Sequence, residues 1–118
     1  MQGQLTVILG IVKVKASAGK WKDVVDILSS LTGPIQVEHG CLGCGFYYDV
    51  QDSESILFVE EWETSDDLSR HFQSPNYRRI LAAMEFSDTA PEVRFMTVAR
   101  EEGMEIVERA RGELSNQR

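Results

Sequence analysis

The order of hydrophobic periods along the chain, read as strand, helix, strand, strand, helix, strand, predicts an α+β domain of ferredoxin-like βαββαβ topology: one antiparallel sheet with helices on one face. Two further observations support this class. A length of 118 residues suits a single hydrophobic core, and 42% hydrophobic with 26% charged residues is an ordinary globular composition.

Each element follows from local chemistry. Residues 5–15 form a β-branched run too apolar for an exposed edge, which predicts a central strand bent at Gly10. Trp21, Val24, Val25, Leu28 and Leu31 then recur at helical spacing, with Ser17 as N-cap and Gly33-Pro34 expected to stop or kink the helix. Residues 41–50 alternate, placing Leu42, Cys44, Phe46, Tyr48 and Val50 on one strand face and Cys41, Gly43, Gly45 and Tyr47 on the other. The polar stretch Gln51-Asp52-Ser53-Glu54 predicts a turn into a hairpin partner over residues 55–62. Thr64 followed by Ser65-Asp66-Asp67 reads as a helix start, and Ser74-Pro75 starts a second short helix carrying Tyr77, Ile80, Leu81 and Met84. Residues 93–100 alternate as a fourth strand. Residues 101–118 predict a helical tail beyond a domain of residues 1–100; its stripe of Met104, Val107, Ala110 and Leu114 is too thin to stand alone, so it docks on its own domain or a second subunit, or frays. Both faces of the first and third strands are apolar, so a second layer is expected, and a homodimer packed through the sheets would supply it.

A net charge of −7 sets the chain's own field against phosphate backbones, so nucleic acid is not an expected partner. No apolar run reaches the roughly 20 residues that cross a bilayer, and the first residues lack a secretory pattern, so a cytoplasmic location without membrane partners is expected. Cys41 and Cys44 form a single Cys-x-x-Cys string heading a strand, with no second pair to complete a zinc site, and alternation would point the two sulfurs to opposite faces. No dinucleotide fingerprint, phosphate loop or Gly-x-Ser-x-Gly elbow is present, so no metal or nucleotide cofactor is predicted.

His71 is the leading candidate for chemistry, because imidazole exchanges protons near neutral pH and this one lies on a helix facing the sheet. Glu60 shares a strand face with Ile56, Phe58 and Trp62; if buried it must be satisfied, either by orienting His71 or by pairing with an arginine such as Arg94 or Arg78. Trp62 reads as a pocket wall or as plain core, and Tyr77, Phe46 and Phe72 as ring-packing residues. Gly43 and Gly45 leave room for a ligand or for close helix packing. His39, beside Gly40 in a loop, is expected to be exposed.

The strings Glu38-His39-Gly40-Cys41-Leu42, Glu60-Glu61-Trp62-Glu63-Thr64-Ser65, Leu68-Ser69-Arg70-His71 and Ser74-Pro75-Asn76-Tyr77, at their mutual spacing, resemble the antibiotic biosynthesis monooxygenase family over about residues 5 to 100. The resemblance implies a dimeric α+β barrel and an oxygenase that uses O2 on a small aromatic substrate (a polycyclic phenol, anthrone or quinol) without metal or flavin. The haem-degrading branch is disfavoured, since the first strand lacks its asparagine and no histidine follows His71; haem binding through His71 stays open. On this reading His71 transfers a proton or stabilises an anion, Glu60 orients it, and Trp62, Tyr77, Phe46, Phe72, Gly43 and Gly45 surround the ring. Two other readings stand beside it: a non-catalytic dimeric small-ligand-binding or stress-response module, and an isomerase of a small carbonyl compound.

Overall fold

A computed structural model describes residues 6–113. It contains β1 (Ile8–Lys15), α1 (Ala18–Gln36), β2 (Cys41–Tyr48), β3 (Ser55–Trp62), α2 (Ser65–Phe72), α3 (Pro75–Met84), β4 (Glu92–Thr97) and α4 (Met104–Ala110). The four strands form one sheet in the order β2-β3-β1-β4, with every neighbouring pair antiparallel. This is the ferredoxin-like topology that the hydrophobic periods predict. Leu5, expected to open the first strand, and Leu114 with the rest of the expected tail lie outside the described residues.

Period-two burial sets the faces. On β1, Ile8, Gly10, Val12 and Val14 face the helices and pair with Trp62, Glu60, Phe58 and Ile56 of β3. With Val24, Leu28, Leu31 and Ile35 of α1 and Ile80 of α3 they make the core, in which each fully buried aliphatic or aromatic side chain stabilises the fold by roughly 1.5–3 kcal/mol. The opposite face carries Leu9, Ile11, Leu57 and Val59, all half-buried.

Several boundaries differ from the sequence expectation. β1 passes through Gly10 with unbroken register to both neighbours, so no bulge forms at the glycine. It makes room instead: a Cβ there would lie 2.7 Å from Cε1 of Phe95 and 3.1 Å from Cγ of Glu60. α1 does not stop at Gly33-Pro34 but runs to Gln36, because Ile35 is fully buried and its packing offsets the backbone bond that Pro34 lacks. Ser17 occupies the N-cap without a side-chain cap bond; its own amide donates to Asp88 Oδ2 at 2.7 Å.

β2 ends two residues early, where the Asp49 amide donates to the Ser55 carbonyl and Val50 turns outward, 91% exposed. At its start the register slips between Cys41 and Gly43, so Leu42 is a bulge residue and points away from the core. The bulge corrects the expected alternation: Cys41 pairs with Trp62 and Cys44 with Glu60, so both thiols lie on the helix-facing side and pack against the core.

Two of the three predicted caps form their side-chain bonds. Thr64 Oγ1 accepts from the Asp67 amide at 3.0 Å, and Ser74 Oγ from the Tyr77 amide at 3.1 Å. β4 stops at Thr97, and among the described residues of the tail the helix runs from Met104 to Ala110, bounded by Gly103 and by Gly112 at φ +79°.

Candidate functional site

β3 delivers Glu60 and Trp62 to the helix-facing side because they are two residues apart, and α2 lowers His71 onto them from above. All three side chains are fully buried. The Trp62 indole Nε1 donates to Glu60 Oε1 at 2.7 Å, and its ring stacks on the His71 imidazole with centroids 4.4 Å apart. His71 Nε2 lies 3.0 Å from the same Glu60 oxygen, an ion-pair contact at an angle too poor for a hydrogen bond. Glu60 Oε2 is buried with no hydrogen-bond partner.

On the other side of the ring, His71 Nδ1 lies 2.9 Å from Oε1 of Glu38, in the turn between α1 and β2. Glu38 Oε2 accepts from Asn76 Nδ2 at 2.7 Å. His71 thus sits between two carboxylates. Burial pushes its pKa down, but the contacts and charges of Glu60 and then Glu38 outweigh it, leaving the pKa above its ordinary value. Burial also raises the Tyr77 hydroxyl pKa, with the Glu60 charge adding to it.

An aromatic cluster closes the outer side. Tyr77 meets His71 edge-on at 5.2 Å and Phe72 at 4.9 Å, and Phe72 meets Phe95 at 5.1 Å. Phe72 is 39% exposed and forms the solvent-facing edge of the cluster. Phe95 reaches this cluster through the space left at Gly10.

Of the residues singled out by sequence, His71, Glu60, Trp62, Tyr77 and Phe72 therefore meet in one cluster. Glu60 contacts His71 and Trp62; neither Arg94 nor Arg78 is its partner. Phe46 faces the same side of the sheet but stands opposite Phe58, two residues along β3 from Glu60. Gly43 and Gly45 do not join the cluster. They pair with Glu61 and Val59, which places them on the opposite face, beside a shallow cleft of about 380 Å³. His39 is exposed as expected, with Nδ1 2.8 Å from Oδ1 of buried Asp67.

Two residues of the site, Glu38 and Asn76, are not among those that the sequence singles out for chemistry. Both lie inside the strings Glu38-His39-Gly40-Cys41 and Ser74-Pro75-Asn76-Tyr77, so their signal was an acid before a glycine turn and an amide in a helix's first turn. Among the described residues, no group of three or more His, Cys, Asp or Glu side chains is arranged to hold a metal ion, and no helix is long and apolar enough to cross a membrane.

Comparison with known proteins decides the family. The profile described as antibiotic biosynthesis monooxygenase matches residues 8–83. The chain belongs to this family. An uncharacterized protein of Synechocystis is 30% identical over 87 residues, covering 74% of this chain and 54% of its own length, so the chain spans about half of that relative. Solved structures share the family fold at lower identity. A conserved protein from Methanosarcina mazei superposes with a TM-score of 0.73 at 22% identity, covering 79% of this chain and 93% of that one. Rv0793 from Mycobacterium tuberculosis superposes with a TM-score of 0.74 at 17% identity, covering 82% and 99%. In this family member, the matched segment runs from the start of β1 to the penultimate residue of α3, and it holds every residue of the His71 cluster except Phe95.

Proposed function

We propose that this family member is a monooxygenase that oxidises a polycyclic phenol, anthrone or quinol with O2, without metal or flavin. The observation that carries the reading is the buried ion pair of His71 and Glu60, in which one carboxylate oxygen is unpartnered beneath an aromatic cluster. Glu60 Oε2 takes the proton of the enol or phenol, and the His71 imidazolium, flanked by carboxylates, stabilises the resulting anion. For an anthrone, the anion's ring carbon forms a bond to O2, and the peroxide anion recovers a proton from Glu60. Loss of the remaining C–H proton and cleavage of the O–O bond then release water and leave the carbonyl. One anthrone and one O2 thereby give one quinone and one water. Tyr77, Phe72 and Phe95 stack the ring and keep water from the anion.

The working unit is a homodimer, for which the half-buried apolar face of Leu9, Ile11, Leu57 and Val59 is the support, with the helical tail of residues 101–118 docking on its own domain of residues 1–100 or on the second subunit. Sedimentation at twice the 13.3 kDa chain mass is the expected result.

The test is O2 uptake by metal-stripped protein against anthrones, naphthalenediols and simple quinols, corrected for autoxidation. Uptake that falls at least about 100-fold in both Glu60→Gln and His71→Gln is expected. Thermal stabilisation by the same compounds without uptake would overturn the reading in favour of a non-catalytic binding module. Turnover of a small carbonyl compound without O2 consumption would overturn it in favour of an isomerase.

A further inference from the structure

The Nδ1 edge of His71 is held by a partly exposed residue outside the aromatic cluster. Glu38 approaches from the α1–β2 turn with its carboxylate fully engaged: Oε1 lies 2.9 Å from His71 Nδ1, and Oε2 accepts from Asn76 Nδ2 at 2.7 Å. A carboxylate accepts only, so Nδ1 carries the proton of that bond. Nε2 lies 3.0 Å from Glu60 Oε1 without hydrogen-bond alignment, and at that distance the carboxylate charge favours a positive ring. A proton on Nε2 supplies that charge. Two carboxylates on opposite edges of one ring therefore select the doubly protonated form.

We infer that Glu38, steadied by Asn76, is a positioning residue: it holds His71 as an imidazolium whose Nε2 edge lies beside Glu60 Oε1, and so leaves Glu60 Oε2 as the free base. For its catalytic consequence this role rests on the oxygenase reading; for the protonation state of His71 it does not. The ionisable groups around the ring are Glu38 from the turn, Glu60 from β3 and Tyr77 from α3. The Cys41 and Cys44 thiols of β2 interact with both carboxylates and are neutral near pH 7.

The chain has two histidines, so a His39→Ala background leaves His71 as the one imidazole to follow by NMR. Glu38→Gln keeps an acceptor near Nδ1 and removes the charge. The His71 titration midpoint is expected to fall by at least about one pH unit in this variant, and by less in Asn76→Ala, where Glu38 is freed to turn toward solvent. The alkaline limb of kcat/KM moves down with the midpoint, while KM below that limb changes by less than about twofold.

An unchanged or raised midpoint in both variants overturns the inference, and the Asn76 variant carries the test if Glu38→Gln fails to fold. A lowered midpoint with an unmoved kcat/KM profile removes Glu38 from the catalytic arrangement and also overturns it. A lowered midpoint in a protein that consumes no O2 even as wild type upholds the grip on His71 and overturns the oxygenase reading instead.

Discussion

Glu60 and Trp62, two residues apart on β3, close on each other: the indole Nε1 donates to the buried Glu60 Oε1 at 2.7 Å while the same ring stacks on His71. One tryptophan thus satisfies one oxygen of the carboxylate and braces the imidazole. Trp62→Phe keeps most of the stacking surface and removes the donor, leaving a buried acceptor short of a partner. A loss of about 1–3 kcal/mol in urea unfolding is expected, and an unchanged midpoint of unfolding would show that the bond contributes nothing net.

His71 links stability to pH. Its folded-state pKa lies above the ordinary 6.5, so its contribution is fully present below about pH 6.5 and is lost as pH rises through the folded-state value. Wild-type stability is expected to decline over that interval. His71→Gln should be less stable at pH 6 and show no such decline; a parallel pH dependence in the variant would contradict the assignment.

Asp67 works in the opposite sense. The Arg70 guanidinium at 2.7 Å, with His39 and Thr64 adding to it against the effect of burial, holds its pKa down from 3.8 to about 2. Its contribution is present above pH 3.8 and disappears as pH falls toward about 2. Asp67→Asn is expected to unfold more readily at neutral pH and to differ least from wild type at the acid end, as circular dichroism in urea at several pH values would reveal.

The cysteines are predicted to be slow nucleophiles despite their Cys-x-x-Cys spacing. Burial, reinforced by the neighbouring thiol and the Glu60 charge, pushes Cys44 up to about 12, and burial raises Cys41 as well. Alkylation by iodoacetamide at pH 7, followed by mass spectrometry, should lag an unstructured cysteine peptide by more than about tenfold and should match it after denaturation.

Gly10→Ala tests how the cluster is packed. The added Cβ would meet the Phe95 ring at 2.7 Å and push it toward Phe72. Overpacking of this kind costs about 1–3 kcal/mol, and any aromatic ligand of the cluster should bind more weakly, which calorimetry would register.

Local chemistry by itself determined the topology of this protein. Strands declared themselves through period-two runs, helices through period-3.6 stripes, and two of the helix starts through Thr64 and Ser74, because those signals act within a few residues of their own position. The candidate histidine, its glutamate and the stacked tryptophan were legible for the same reason: Glu60 and Trp62 share a strand face, and His71 lies on the buried side of an amphipathic helix.

What escaped the sequence depended on register and distance. A bulge at Leu42 turned both cysteines to one face, and strand pairing sent Gly43 and Gly45 away from the His71 cluster. Burial of Ile35 carried α1 past a proline. Glu38, 33 residues before His71, and Asn76, 38 residues after Glu38, were joined to the site only by the folded chain. No local pattern encodes such a contact. It exists because the sheet and helices, once packed, bring a turn, a strand and two helices to one buried point, and there the charges must pair.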